Sequence, residues 1–259
     1  MTPPSDVAEH VHVEALGAVV AIQLTDRRLT DAVERAWVAC RTAPRPGCPV
    51  VAAPAIGADA DDDDVSRALQ SLTQSVTRAA IEARSGSMAM FHASALCDQR
   101  TGATIAMVAP GGTGKTTAVR ALGPGRGYVT DETVAVAADR SIAPYCKPLS
   151  LRRVGQAQPK DEVAPQTLGL LPPAVPPWLA GLVLLRRDLA EGRPIVVEDV
   201  ELLDALVLLA PETSSLAALD RPLHLLAELV ESVGGLRRVR FHDAADLEPV
   251  VREVLGRSR

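Results

Sequence analysis

The sequence predicts an α/β protein, with a small N-terminal α+β unit and acidic linker over residues 1–64 and a larger domain over residues 65–259 in which strands alternate with helices. Three observations carry this expectation. The chain has 259 residues and is 47% hydrophobic, enough to bury a sizeable core. Short apolar runs of strand character recur between stretches of helical period. At residues 103–108 an apolar strand runs directly into a glycine-rich segment, which opens a helix.

Along the chain, Val11, Val13 and the apolar run 18–22 predict two short strands, and residues 30–40 a helix capped by Thr30. Residues 49–53 read as a strand. The acidic run 57–64 could be a metal loop, but its spacing does not match an EF-hand, and it reads as a solvated linker with helix-capping carboxylates. Ala68, Leu69, Leu72, Val76, Ala79, Ala80 and Ala83 keep one face of a helix over 65–83, which Ser85 and Gly86 end. Residues 87–96 and 103–108 read as strands joined by a turn at Gly102, and 116–122 as a helix. Strands follow at 127–129 and 134–137. Residues 179–185 and 194–197 look like buried strands, 201–209 and 222–233 like helices, and 239–241 like a late strand before a terminal helix. The Pro-rich stretch 165–177 reads as a mobile loop.

Composition excludes several classes. Aromatics are 2% of residues, so Leu, Val and Ala must fill the core and single-stranded nucleic acid finds no stacking platform. The net charge of -5 gives no general attraction to a polyanion, so any phosphate binding must be local. Cys40, Cys48, Cys97 and Cys146 show no Cys-x-x-Cys pairing and read as core or incidental thiols in a reducing compartment. Residues 1–6 lack a basic stretch followed by an apolar run, and no apolar run is long enough to span a bilayer; the expectation is a cytoplasmic protein without membrane contact.

The glycine-rich segment is Ala109, Pro110, Gly111, Gly112, Thr113, Gly114, Lys115, Thr116 and Thr117. Between a strand and a helix, this Walker A pattern predicts a P-loop: backbone N–H groups wrap a β-phosphate, and the helix N-terminus adds partial positive charge. The three glycines allow backbone conformations and a close approach that a Cβ would obstruct. Lys115 would reach the β- and γ-phosphates of ATP, and the Thr116 hydroxyl would join a Mg²⁺ shell. Ala109 stands where the usual pattern has Gly. Asp131 and Glu132 follow at a strand end, where a carboxylate could bind Mg²⁺ or accept a proton from an incoming hydroxyl.

Phe91-His92-Ala93-Ser94-Ala95-Leu96, then residues 109–117, then Thr130-Asp131-Glu132-Thr133-Val134, together resemble the HPr kinase/phosphorylase-like P-loop kinases; the loop is also similar to that of ATP-dependent phosphoenolpyruvate carboxykinase. The motifs cover about residues 87–155. The resemblance implies an ATP- and Mg²⁺-dependent transfer of the γ-phosphoryl group to a hydroxyl, serine above all, of a peptide, protein or small molecule, as in kinases that modify lasso-peptide precursors. It implies Asp131 as the base, Glu132 as a metal-side acid in place of the family's second Asp, and His92 as a group that could hold the acid pair or the γ-phosphate. It also implies a homo-oligomer. The phosphorolysis signature of HPr kinases is not recognisable here. Lys147, Arg152 and Arg153 could clamp phosphate or an acidic peptide, and Arg186 with Arg187 could supply a transition-state cation. The rival readings are a non-catalytic nucleotide-binding module and a P-loop ATPase.

Overall fold

The computed structural model describes residues 9–153, 155 and 158–259. The reading of residues 1–6 therefore lies outside the described residues. In chain order come β1 (Glu9–Ala15), β2 (Ala18–Leu24), α1 (Arg27–Ala36), β3 (Val50–Ala52), α2 (Asp62–Arg84), β4 (Ala89–Cys97), β5 (Ala103–Val108) and α3 (Lys115–Leu122). β6 (Gly127–Thr130), β7 (Thr133–Val136), β8 (Ile142–Ala143), β9 (Leu149–Arg152), β10 (Lys160–Val163) and β11 (Trp178–Arg186) follow. The chain ends with β12 (Val196–Val200), α4 (Leu202–Leu209), β13 (Thr213–Ser214), α5 (Pro222–Ser232), β14 (Leu236–Arg240) and α6 (Glu248–Leu255). The architecture is mixed α/β. No helix among the described residues is long and apolar enough to cross a membrane.

The chain divides into two units. One gathers residues up to Ala83 together with Lys147–Thr167; the other is Arg84–Cys146 with Leu168–Arg259. This differs from a boundary after residue 64. α2 belongs with the first unit because its buried hydroxyls bond to the β9–β10 hairpin: Ser66 donates to Asp161 at 3.2 Å and Thr73 to Glu162 at 3.1 Å. Arg153 completes the clasp by bonding Asp161 and Asp63. No local pattern announces that a hairpin some 90 residues away will cover this helix face.

In the first unit, β1, β2 and β3 form a sheet in that order, with β1 and β2 antiparallel in register from Glu9↔Leu24 to Ala15↔Ala18. α1 is capped by Asp26 rather than Thr30: the Asp26 carboxylate accepts from the amides of Arg28 and Leu29, while Thr30 is buried one turn in, its hydroxyl donating to the Asp26 carbonyl. The acidic run is shared between linker and helix. Asp62, Asp63 and Asp64 form the first turn of α2, where carboxylates complement the helix dipole, and Asp61 and Asp64 cap one another's amides.

In the second unit, nine strands among the described residues form one sheet, with path β12-β14-β11-β5-β4-β7-β8 and with β6 and β13 also pairing β4. β5, β11 and β14 run parallel, so their C-terminal ends share one edge of the sheet. One face carries a core of Phe91, Ala93, Val108, Leu182, Leu184, Leu209 and Leu226, drawn from the sheet, α4 and α5. The alternate residues of β4, His92, Ser94 and Leu96, point to the other face, where Leu96 lies beside Gly123 at the end of α3. Arg126, just beyond α3, donates both ends of its guanidinium to Glu248 of α6 at 2.7 and 2.8 Å and also bonds the Leu122 carbonyl, fastening that helix end.

Two expectations are corrected here. Residues 194–197 do not make a buried strand: β12 begins at Val196 and is mostly exposed, because it is the edge strand of the sheet. The stretch 165–177 is tied down rather than loose. Leu170 is buried, the Leu171 carbonyl accepts from Tyr128 N at 2.7 Å, and Gln99 bonds both Pro172 and Ala174.

Gly102 makes the β4–β5 turn at φ +74°, and a Cβ there would collide with the Pro176 carbonyl oxygen. Gly102→Ala is therefore expected to cost about 1–3 kcal/mol, read as a lowered urea midpoint; an unchanged midpoint would show that the turn relaxes freely.

Candidate functional site

The site is built where β4 exchanges neighbours. On one of its sides β5 pairs as far as Ala93↔Val108 and then departs, leaving the adjoining stretch to β13 at Phe91↔Thr213. On the other side β6 pairs at Ala95↔Thr130 and β7 takes over at His92↔Thr133, with Asp131 and Glu132 in the turn between them. Both gaps open beside His92. Its carbonyl accepts from Ala109 N at 3.3 Å at the start of the glycine-rich loop, and the next amide, Ala93 N, donates to the Glu132 carbonyl at 3.1 Å.

The loop, Pro110 to Gly114, joins β5 to α3. Gly112 and Gly114 have φ of +84° and +105°, the left-handed region where a Cβ is strained, so the backbone itself requires these two glycines. Gly111 carries no such requirement. A Cβ added at Gly111, Gly112 or Gly114 would meet no atom within 4 Å, so the glycines leave open space beside the loop instead of relieving a clash within the protein. The Thr113 hydroxyl closes a turn onto the Pro110 carbonyl at 3.0 Å. Gly114 is the N-cap of α3 and supplies no side-chain cap, which suits an anion at the first-turn amides. Thr117 is exposed on that helix.

Lys115 folds back over the loop and is only 8% exposed. Its ammonium donates to the carbonyls of Ala109 at 2.5 Å and Pro110 at 3.2 Å. Burial pushes the ammonium down to about 8, against the opposing pull of the Glu212, Asp131 and Glu132 carboxylates. Phosphate bound here would favour the charged form. If a nucleotide binds this loop, its affinity is expected to fall by about tenfold per pH unit above about pH 8, with uptake of a proton on binding. Calorimetry of ADP binding at about pH 9 in buffers of different ionisation heat reads that proton directly; identical heats would refute the coupling.

Thr116 and Asp131 meet across the sheet edge. The Thr116 hydroxyl donates to Asp131 Oδ2 at 2.7 Å, and the Tyr128 hydroxyl donates to Oδ1 at 3.1 Å. Asp131 is thus a buried carboxylate with a hydroxyl on each oxygen. Glu132, the next residue, is less buried, and its amide donates to the Thr130 hydroxyl at 3.2 Å.

His92 pairs with neither of these acids. Its Nδ1 lies 3.2 Å from Oε2 of Glu212, in the short 3-10 turn Ala210–Glu212 that leads into β13. Glu212 and Tyr128 are the residues that sequence reasoning missed. Glu212 lies 120 residues from His92 and no local motif marks it; only the β13–β4 pairing brings it in.

Ser94, on the same face of β4 as His92, is fully buried, and its hydroxyl has no hydrogen-bond partner among the described residues, an orphaned group that a ligand or water would satisfy. Together, the open glycine loop, the folded-back ammonium and the Thr116–Asp131 contact fit a nucleotide phosphate with a divalent cation. Among the described residues no three His, Cys, Asp or Glu side chains cluster as a metal cage. Such a cation would depend on Thr116, Asp131, phosphate oxygens and water, the pattern usual for Mg²⁺.

Arg187 donates to the His242 carbonyl at 2.9 Å, Arg153 is held by Asp63 and Asp161, Lys147 donates to the Pro148 carbonyl at 2.9 Å, and Arg152 is exposed. Arg186 ends β11, two residues past the Leu184↔Val108 pair, at the same sheet edge as the loop. Cys40, Cys97 and Cys146 are buried, and no disulfide joins any of the four cysteines. Neither protein-family models nor curated proteins give a match to this sequence.

Proposed function

We propose that the chain is an ATP- and Mg²⁺-dependent P-loop phosphotransferase, of the kind its motifs resemble in HPr kinase-like proteins, that transfers a γ-phosphoryl group to a hydroxyl of a peptide, protein or small molecule. The observation that carries the reading is the 2.7 Å bond from Thr116 to Asp131, which joins the first turn of α3 to the turn between β6 and β7. A loop threonine beside a buried strand-end carboxylate is the donor set that places a divalent cation against β- and γ-phosphates. When bound, Mg²⁺ neutralises phosphate charge. Lys115 binds the same oxygens, the glycine-loop amides orient the phosphates, and Asp131 holds Thr116 in place. With both its oxygens already accepting hydroxyls, Asp131 is better suited to this metal-side duty than to proton abstraction.

The test is an incubation with Mg²⁺ and γ-labelled ATP in an extract of the source organism. Label in a discrete acceptor is the expected result. Label released only as phosphate would make the protein an ATPase, and binding without turnover would leave a nucleotide-binding module.

A further inference from the structure

Resting on that phosphotransferase reading, the geometry points to His92 as the group that takes the proton from the acceptor hydroxyl, with Glu212 as its positioning residue. His92 has the start of the glycine loop on one side, through the Ala109 N to His92 O bond, and the Asp131–Glu132 turn on the other, through His92↔Thr133. The Glu212 carboxylate, an obligate acceptor when ionised, lies 3.2 Å from Nδ1, so the neutral ring keeps its proton there and presents a bare lone pair at Nε2. Exposure is divided in the same sense: the His92 side chain is 40% exposed and that of Glu212 only 17%, giving a reachable ring on a shielded carboxylate. Glu212 also acts on the Lys115 ammonium more strongly than Asp131 or Glu132 does, which puts the pair within electrostatic reach of the group that would hold the β- and γ-phosphates. Asp131 is engaged by Thr116 and Tyr128, holding the loop threonine.

The acceptor oxygen bonds the γ-phosphorus while the bond from phosphorus to the bridging oxygen breaks, leaving its electron pair on ADP. The acceptor proton passes to Nε2; Glu212 stabilises the imidazolium until it releases the proton to water.

Two measurements on the full chain test this. Nitrogen-15 spectra of histidine-labelled protein are expected to show neutral His92 protonated at Nδ1, and Glu212→Ala to return it to the ordinary Nε2–H form. With Mg²⁺, γ-labelled ATP and the source extract, His92→Ala is expected to bind ATP normally yet lose about 10²–10⁴-fold in transfer, with partial recovery on adding imidazole. An Nε2–H tautomer in the wild type, a His92→Ala variant that transfers at the wild-type rate, or a loss that imidazole does not restore would overturn the assignment while leaving the kinase intact. A wild type that binds ATP and transfers nothing would remove the kinase reading, and the role of His92 with it.

Discussion

Lys115→Ala is expected to lower label transfer from γ-labelled ATP by about 10²–10³-fold or more, the worth of one preorganised donor on developing charge in a water-poor site. The fold should survive the change. The ammonium's value of about 8 lies below the ordinary lysine value of 10.5, so below about pH 8 folding carries a penalty for burying the charge. That penalty fades as pH rises between the two values, and alanine removes it altogether. Against this, alanine withdraws a donor from the Ala109 and Pro110 carbonyls. The two changes oppose one another, so the melting temperature of the nucleotide-free protein at neutral pH should move little. Initial rates beside thermal melts read both quantities, and transfer at the wild-type rate by a folded Lys115→Ala protein would end the assignment of this loop.

Asp131→Asn separates metal placement from proton transfer. The asparagine oxygen can still accept from Thr116 and keep the side chain in place, but it withdraws the negative charge that would draw the cation to Thr116. The Mg²⁺ concentration for half-maximal turnover should rise by about 10–100-fold, while ADP binding without Mg²⁺ stays near the wild-type value. A Mg²⁺ titration of initial rate measures this. If the maximal rate collapses with an unaltered Mg²⁺ requirement, Asp131 is the base and His92 is not.

The parts of the site that were legible in the sequence are those that a few neighbouring residues dictate. The strand before the loop, the left-handed glycines at 112 and 114 and the helix opening at Lys115 are consequences of local backbone preference and apolar period. The carboxylates at 131 and 132 were found because they lie at the end of such a strand. Local rules also misled. They placed the helix cap at Thr30, one turn inside α1, since a hydroxyl that bonds its own helix looks the same in sequence as one that caps it. They read 194–197 as buried because an apolar run does not say whether another strand will lie beyond it.

By itself the sequence determined a mixed α/β chain, a strand–glycine loop–helix segment and a pair of candidate acids, all encoded within spans of about twenty residues by φ preference and hydrophobic period. Only the tertiary structure decided that His92 pairs with Glu212, that Asp131 takes Thr116 and Tyr128 as its partners, and that α2 belongs with the β9–β10 hairpin. The reason is physical: these contacts depend on which strands share an edge of β4 and which hairpin covers a helix, and those pairings come from burying the chain's apolar faces all at once, not from the preference of any one segment.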